Sequence, residues 1–304
     1  MNGTATTTAV ESLPRTYNWR ASVRAYLSLT KPTIMLLVLF TGAAALVVEG
    51  SMLARPGMFV LFLLGLFLTG GSANALNQYF ERDIDALMSR TSGRRVLPQQ
   101  RVKPARALTF AVGIGIAGVL LLGFAFNWLT ALLSLSTILF YSLFYTLLLK
   151  PTTPQNIVIG GAAGAMAPVG AWAAATGGTA VLPWLMFAII FLWTPPHFWA
   201  LAIAYKGDYE KTGLPMLPVV VGDKKTLRQM FFYSVALAVA ALALSFFGAG
   251  ALYATVAVLL SARFLQMAGR AWRRGDIPSV RALFGYSIIY LFGLFAALMV
   301  DALV

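Results

Sequence analysis

The chain has 304 residues, of which 59% are hydrophobic and 11% charged, with a mean hydropathy of +0.79. That composition excludes an ordinary soluble domain and points to an integral membrane protein that crosses the bilayer many times. The net charge of +13 would suit nucleic acid, but its placement argues against that partner, and the lack of cysteine excludes disulfides and thiolate metal sites.

In chain order, the first 25 residues are polar and Thr-rich. They hold no apolar core followed by a small-residue cleavage site, so no signal peptide is expected, and their few arginines argue against a mitochondrial transit peptide. Apolar windows and breakers then predict nine helices at roughly 33–50, 57–80, 107–126, 129–149, 155–176, 182–205, 228–248, 250–268 and 282–302. With a cytoplasmic N-terminus, every Lys and Arg except Arg55 falls on the cytoplasmic side. This is the split expected when basic residues resist translocation and favour an anionic inner leaflet. The expectation is one all-α membrane domain spanning 1–304, with a polar cytoplasmic segment at 1–25 and the C-terminus outside. Two longer cytoplasmic loops, 81–106 and 206–227, carry Glu81, Asp83, Asp85, Asp208, Glu210 and Asp223, most of the chain's scarce acids.

The second predicted helix runs into NQYFERDIDALMSR at 77–90. Asn77, Glu81 and Asp85 are spaced i, i+4, i+8, which puts them on one face of a continuing helix. Oxygen ligands in that pattern suit Mg²⁺, which takes a few protein oxygens and leaves positions for water and phosphate. Arg82, Arg90, Arg94 and Arg95 follow, donors suited to phosphate oxygens. The alternative is that the acids merely offset these arginines in a solvated loop, although an amide in register with them does not serve that purpose. YKGDYEKTGLPMLP at 205–218 offers Asp208, which would complete the metal site from the opposite side, and Lys206, which adds charge for a diphosphate; Glu210 reads as a solvated acid. FYTLLLKP ends the fourth helix with Tyr145 and Lys150 on the same side, and Lys150 reads equally as an interfacial anchor. WTPPHFWAL at 193–201 places the only histidine, His197, in the middle of the sixth helix, where Pro195 and Pro196 should break or kink it. A histidine at that depth is a candidate haem contact or a neutral residue bonded to a carbonyl freed by the prolines.

These segments resemble the UbiA superfamily of intramembrane prenyltransferases, and within it the haem-farnesylating branch. The resemblance rests on TKPTIMLLVLFTGAAA, NQYFERDIDALMSRT, YTLLLKPTTPQNIVIGGAAGAMAPVGAW, WTPPHFWALAIAYKGDY and GLPMLPVVVG, in that order. It implies nine transmembrane helices around a central cavity, in a bacterial inner membrane. It also implies Mg²⁺-dependent transfer of farnesyl from farnesyl diphosphate to a vinyl group of haem B, giving haem O. By position, Asn77, Glu81 and Asp85 match the first metal motif and Asp208 the second. Arg90, Arg94, Tyr145, Lys150 and Lys206 match diphosphate positions, and His197 lies in a signature segment for haem. Thr212 stands where quinone-type relatives carry a second Asp, which disfavours an aromatic acceptor, and RRVLPQQ leaves open whether Arg94 or Arg95 holds phosphate. A transporter, the reading from another class, would need paired charges at mid-membrane or inverted repeats. A haem A synthase partner or a homo-oligomer leaves no readable signature.

Overall fold

A computed structural model describes residues 19–304, so Arg15 and most of the polar N-terminal segment lie outside the described residues. Among these, nine helices are long and apolar enough to cross a membrane: Pro32–Glu49, Pro56–Phe80, Pro104–Ala125, Trp128–Thr152, Asn156–Thr176, Val181–Ala204, Asp223–Phe246, Ala251–Arg274 and Ile277–Asp301. We number them as the first to ninth spans. The first six and their predicted counterparts agree within a few residues. The last three are longer at their charged ends, because the helices run past the apolar windows and carry Lys224, Lys225, Arg228, Arg270, Arg273 and Arg274 within their terminal turns.

The boundaries follow local chemistry. Pro32, Pro56, Pro104 and Pro278 open spans in the first turn, where a missing N–H costs nothing. Asn127 and Asp276 cap the fourth and ninth spans by accepting from the backbone N–H of Thr130 at 2.9 Å and Ser279 at 2.7 Å. The expected break at Pro195 and Pro196 is not there. The sixth span is continuous from Val181 to Ala204 with both prolines buried, and the Thr194 hydroxyl donates to the Ile190 carbonyl at 2.8 Å. Tight packing on the seventh and ninth spans holds the helix where its own hydrogen bonds are missing.

Each span packs on its chain neighbour, and the first closes the ring by packing on the fifth and ninth. The second and third spans approach most closely. A Cβ added at Gly118 would stand 2.8 Å from Leu68 Cβ, so only glycine permits the contact. That contact fixes the second span, whose other face carries the acidic end. A short helix, Trp19–Leu29, precedes the first span and is tied to the second: Gln78 donates to the Leu29 carbonyl at 2.8 Å and Asn74 to the Thr30 carbonyl at 3.2 Å.

Candidate active site

The second span ends at Phe80, Glu81 takes a non-helical backbone, and a short helix, Arg82–Leu87, carries on. The helix expected to continue is therefore interrupted at Glu81, although the Asp85 N–H still reaches the Glu81 carbonyl at 2.8 Å. The shared face survives the interruption. Asn77, Glu81 and Asp85 are only 2%, 3% and 2% exposed, while Asp83, pointing away, is open to solvent and meets Arg82 at 3.6 Å. Carboxylates that deep persist only when paired.

The partners come from three different elements. Lys150 Nζ donates to Glu81 Oε1 at 2.5 Å, so Lys150 turns inward rather than towards the membrane surface. Arg95 forms an ion pair with Asp85 and lies 3.6 Å from Glu81 Oε2. Lys31 Nζ donates to Asn77 Oδ1 at 2.8 Å, and Asn77 Nδ2 donates to Thr146 Oγ1 at 3.1 Å. Lys31 sits in the left-handed region, at φ 52°, in the turn before Pro32. Strain of that kind, typically about 1–3 kcal/mol, is retained where the surroundings over-determine it.

Lys150 and Thr146 reach the cluster because Phe140–Leu149 is π-helical, a wider winding that recurs at functional sites. Tyr145, within it, is buried, packs its ring against Gly160 and stacks on Tyr141 with centroids 5.3 Å apart. Burial would raise the Glu81 carboxyl above its ordinary value, but Lys150 and Lys31 hold it below. For Asp85, burial outweighs Arg95 and leaves it raised. Burial, reinforced by Arg95, lowers Lys31 to about 7.

Asp208 is 6% exposed and serves the facing loop. It accepts from Ser89 Oγ at 2.8 Å and from the Arg90 N–H at 3.0 Å. Burial raises its carboxyl, and these hydrogen bonds more than reverse that. Among the described residues no three His, Cys, Asp or Glu side chains come together as a metal cluster, so the structure does not bring Asp208 into one group with Glu81 and Asp85. Its carboxylate is turned to the Ser89 hydroxyl and the Arg90 N–H instead. Lys206 pairs with Asp223 at 3.1 Å. His197 lies about 10 Å, or two turns, from the charged end of the sixth span rather than at its middle. Its Nδ1 meets Ser287 Oγ at 2.6 Å, and its ring stacks on Trp193 and Phe284 at 4.2 and 4.7 Å.

Two cavities flank the acidic cluster. One, of about 320 Å³, is cationic: Lys31, Arg90, Arg94 and Arg95 line it with Ser28 and Gln78. Arg90 Nε is buried there with no hydrogen-bond partner among the described residues. Both Arg94 and Arg95 therefore face this cavity, and Arg95 is the one bonded to the acids. The other cavity, about 140 Å³, is apolar and lies between the first, second, fourth and fifth spans, with Phe62, Leu66, Leu133 and Tyr141 among its walls. Ile34 lines both cavities. Sequence reasoning missed Lys31, Thr146, Ser89 and Tyr141. Only Lys31 carried a signal, as a basic residue in the turn that opens a span.

Residues 37–298 match the model of the UbiA prenyltransferase family. The chain belongs to that family. The UbiA relatives include a protoheme IX farnesyltransferase from Erythrobacter litoralis, 46% identical over 97% of this chain and 96% of its own, and one from Rhizorhabdus wittichii, 46% identical over 92% and 94%. Among solved structures, a digeranylgeranylglyceryl phosphate synthase superposes with a TM-score of 0.76 at 18% identity, covering 92% of this chain and 98% of that one. A UbiA homologue from Archaeoglobus fulgidus bound to DMAPP and Mg²⁺ gives 0.66 at 15% identity, covering 90% and 98%. At such identities the structural likeness concerns the fold, which is the nine-span UbiA bundle.

Proposed function

We propose that this multi-pass membrane prenyltransferase transfers farnesyl from farnesyl diphosphate to a vinyl group of haem B, giving haem O. The carrying observation is a cationic cavity, whose Lys31 and Arg95 bond Asn77 and Asp85, next to an apolar cavity that shares Ile34 with it. It suits a substrate with an anionic head and a hydrocarbon tail. The acceptor is inferred from relatives 46% identical over nearly the whole chain. The enrichment of Lys and Arg at one face supports placing that face in the cytoplasm of a bacterial inner membrane.

Asn77, Glu81 and Asp85 offer only oxygen donors, two of them carboxylates close enough to share Arg95, a set that fits Mg²⁺. Bound there with diphosphate, Mg²⁺ supplies neutralisation of the charge that develops on the leaving group. Arg90, Arg94 and Arg95, which line the cationic cavity, donate to the diphosphate oxygens. As the C1–O bond breaks, the electron pair leaves with diphosphate. The vinyl carbon then bonds to C1, and water adds at the carbon next to the porphyrin ring with loss of a proton. Apolar walls keep water from the farnesyl chain until the vinyl group attacks. Asp208 anchors the arginine-bearing loop through Ser89 and the Arg90 backbone.

The test is to incubate the purified protein with haem B, farnesyl diphosphate and Mg²⁺ and look for haem O by mass. Prenylation of 4-hydroxybenzoate with no haem product would overturn the haem reading.

A further inference from the structure

The apolar cavity runs along the second span. On the second span its wall is the stripe Phe62, Leu66, Thr69, Gly70, Ala73 and Asn74. The helical rise from Phe62 to Asn74 is about 18 Å. Asn74 is one turn from Asn77, so this end meets the acidic cluster and Phe62 marks the far end. There the first, second and fifth spans close on each other. A Cβ at Gly42 would stand 2.7 Å from Leu66 Cδ2, 3.7 Å from the Phe62 ring and 3.9 Å from the Ala167 carbonyl. Phe62 is 1% exposed and braced edge-on against Phe126, with centroids 5.9 Å apart.

The fifth-span wall combines Ala163, Met166 and Ala167 with two glycines. Gly164 and Gly170 line the cavity, and a Cβ at either would meet nothing within 4 Å. The helix is interrupted at Met166, where Pro168 opens a second helical segment, Ala167–Thr176. Gly170 lies 14 residues from the start of this span, about 21 Å, a depth similar to that of Leu66 on the second span.

We infer that Phe62 and Gly170 set the length of the prenyl chain this protein accepts: Phe62 as the floor, and Gly170 as the gap that admits the last isoprene unit. Three isoprene units occupy the distance between Asn74 and Phe62, a fourth meets the Phe62–Phe126 pair, and any side chain at 170 takes the room of the third. This rests on the farnesyl-transfer reading for its acceptor but not for its donor, so donor binding is measured apart from haem prenylation.

The experiment compares geranyl, farnesyl and geranylgeranyl diphosphates with the wild type, Phe62→Ala, Gly170→Leu and Gly113→Leu. Gly113 lies outside the cavity, with nothing within 4 Å of an added Cβ. Binding in detergent with Mg²⁺ is read by calorimetry, and transfer to haem B by mass. Gly170→Leu is expected to weaken farnesyl diphosphate by at least about tenfold while geranyl diphosphate stays within about twofold. Phe62→Ala is expected to improve geranylgeranyl relative to farnesyl diphosphate by about tenfold or more, and Gly113→Leu to leave the ranking unchanged. The two cavity variants act in opposite directions, so a general loss of folding cannot produce the pattern. An unchanged ranking in both, with the proteins folded, overturns the inference. Correct chain-length shifts in binding without any haem product would overturn the haem acceptor alone.

Discussion

The acidic end of the second span and the His197 segment of the sixth both stand out by rare residues, yet they resolve in opposite ways. At the acidic end each unusual group finds a partner outside its own helix: Lys150 for Glu81, Arg95 further along the same loop for Asp85, and Lys31 for Asn77. Around His197 the partners are packing groups. Ser287 accepts the Trp193 indole N–H on its carbonyl at 2.7 Å and meets His197 through its hydroxyl, and two aromatic rings cover the imidazole faces. Repeated spacing of like chemistry therefore foretells a buried polar cluster, whereas the rarity of one residue foretells only a single packed side chain. A charge cluster also needs several elements to converge, whereas a lone histidine needs only one hydrogen bond.

The sharpest way to break this comparison is at the acids. Asp85→Asn and Glu81→Gln are each expected to lower kcat for haem prenylation by about 10²–10³-fold, the scale of losing one charge-stabilising group. Near-normal turnover in either would remove the site. Lys150→Met should follow, with a stability loss of about 3 kcal/mol, because it leaves Glu81 buried without its nearest cation. The double variant Glu81→Gln/Lys150→Met should regain most of that stability, read by thermal unfolding in detergent, and stay inactive. Recovery of activity would make the pair structural.

Smaller effects test the loop opposite. Asp208→Asn should cut activity by about tenfold and speed hydrogen exchange at the Arg90 amide by a similar factor, since a hydrogen bond to a charged group is lost. The Asp208 carboxyl is held below its ordinary value, so the clamp is fully present above the usual carboxylate range and is lost only as pH falls through the lower, folded value. Lys31 gives a proton-linked test. With its value lowered to about 7, it is mostly neutral at pH 8, and a diphosphate beside it favours the charged form. Binding at pH 8 should therefore take up close to one proton, measured by calorimetry in buffers of differing ionisation enthalpy, and Lys31→Met should abolish that uptake.

Most of the architecture was legible because the apolar windows are long and their breakers are Pro, Gly, Asn and Asp at helix ends. Asn77, Glu81 and Asp85 were legible because helical periodicity outlasts the interruption at Glu81. What stayed hidden depends on winding and on distant contacts. The π-helical turn that swings Lys150 and Thr146 inward has no local signal, since FYSLFYTLLL reads as an ordinary apolar helix. Choosing Arg95 over Arg94 as the partner of Asp85 required the course of the loop. Lys31 gained its place from a left-handed turn and a hydrogen bond to Asn77, 46 residues away. Pro195 and Pro196 misled as a break, because the sixth span runs unbroken through them, packed against neighbouring spans.

The smallest expected effect lies at His197. With Nδ1 engaged by Ser287 and both ring faces stacked, His197→Ala removes one hydrogen bond, worth about 1 kcal/mol, and aromatic contacts worth about 0.5–1.5 kcal/mol. Thermal unfolding should register that loss of roughly 2 kcal/mol, while haem prenylation falls by less than about threefold. Ser287→Ala should reproduce the hydrogen-bond part alone. If His197→Ala instead changes the absorption spectrum of bound haem and Ser287→Ala does not, the free Nε2 edge contacts the acceptor. The sixth span would then join the acidic end as a second half of the site, and the contrast between the two regions would reduce to donor against acceptor.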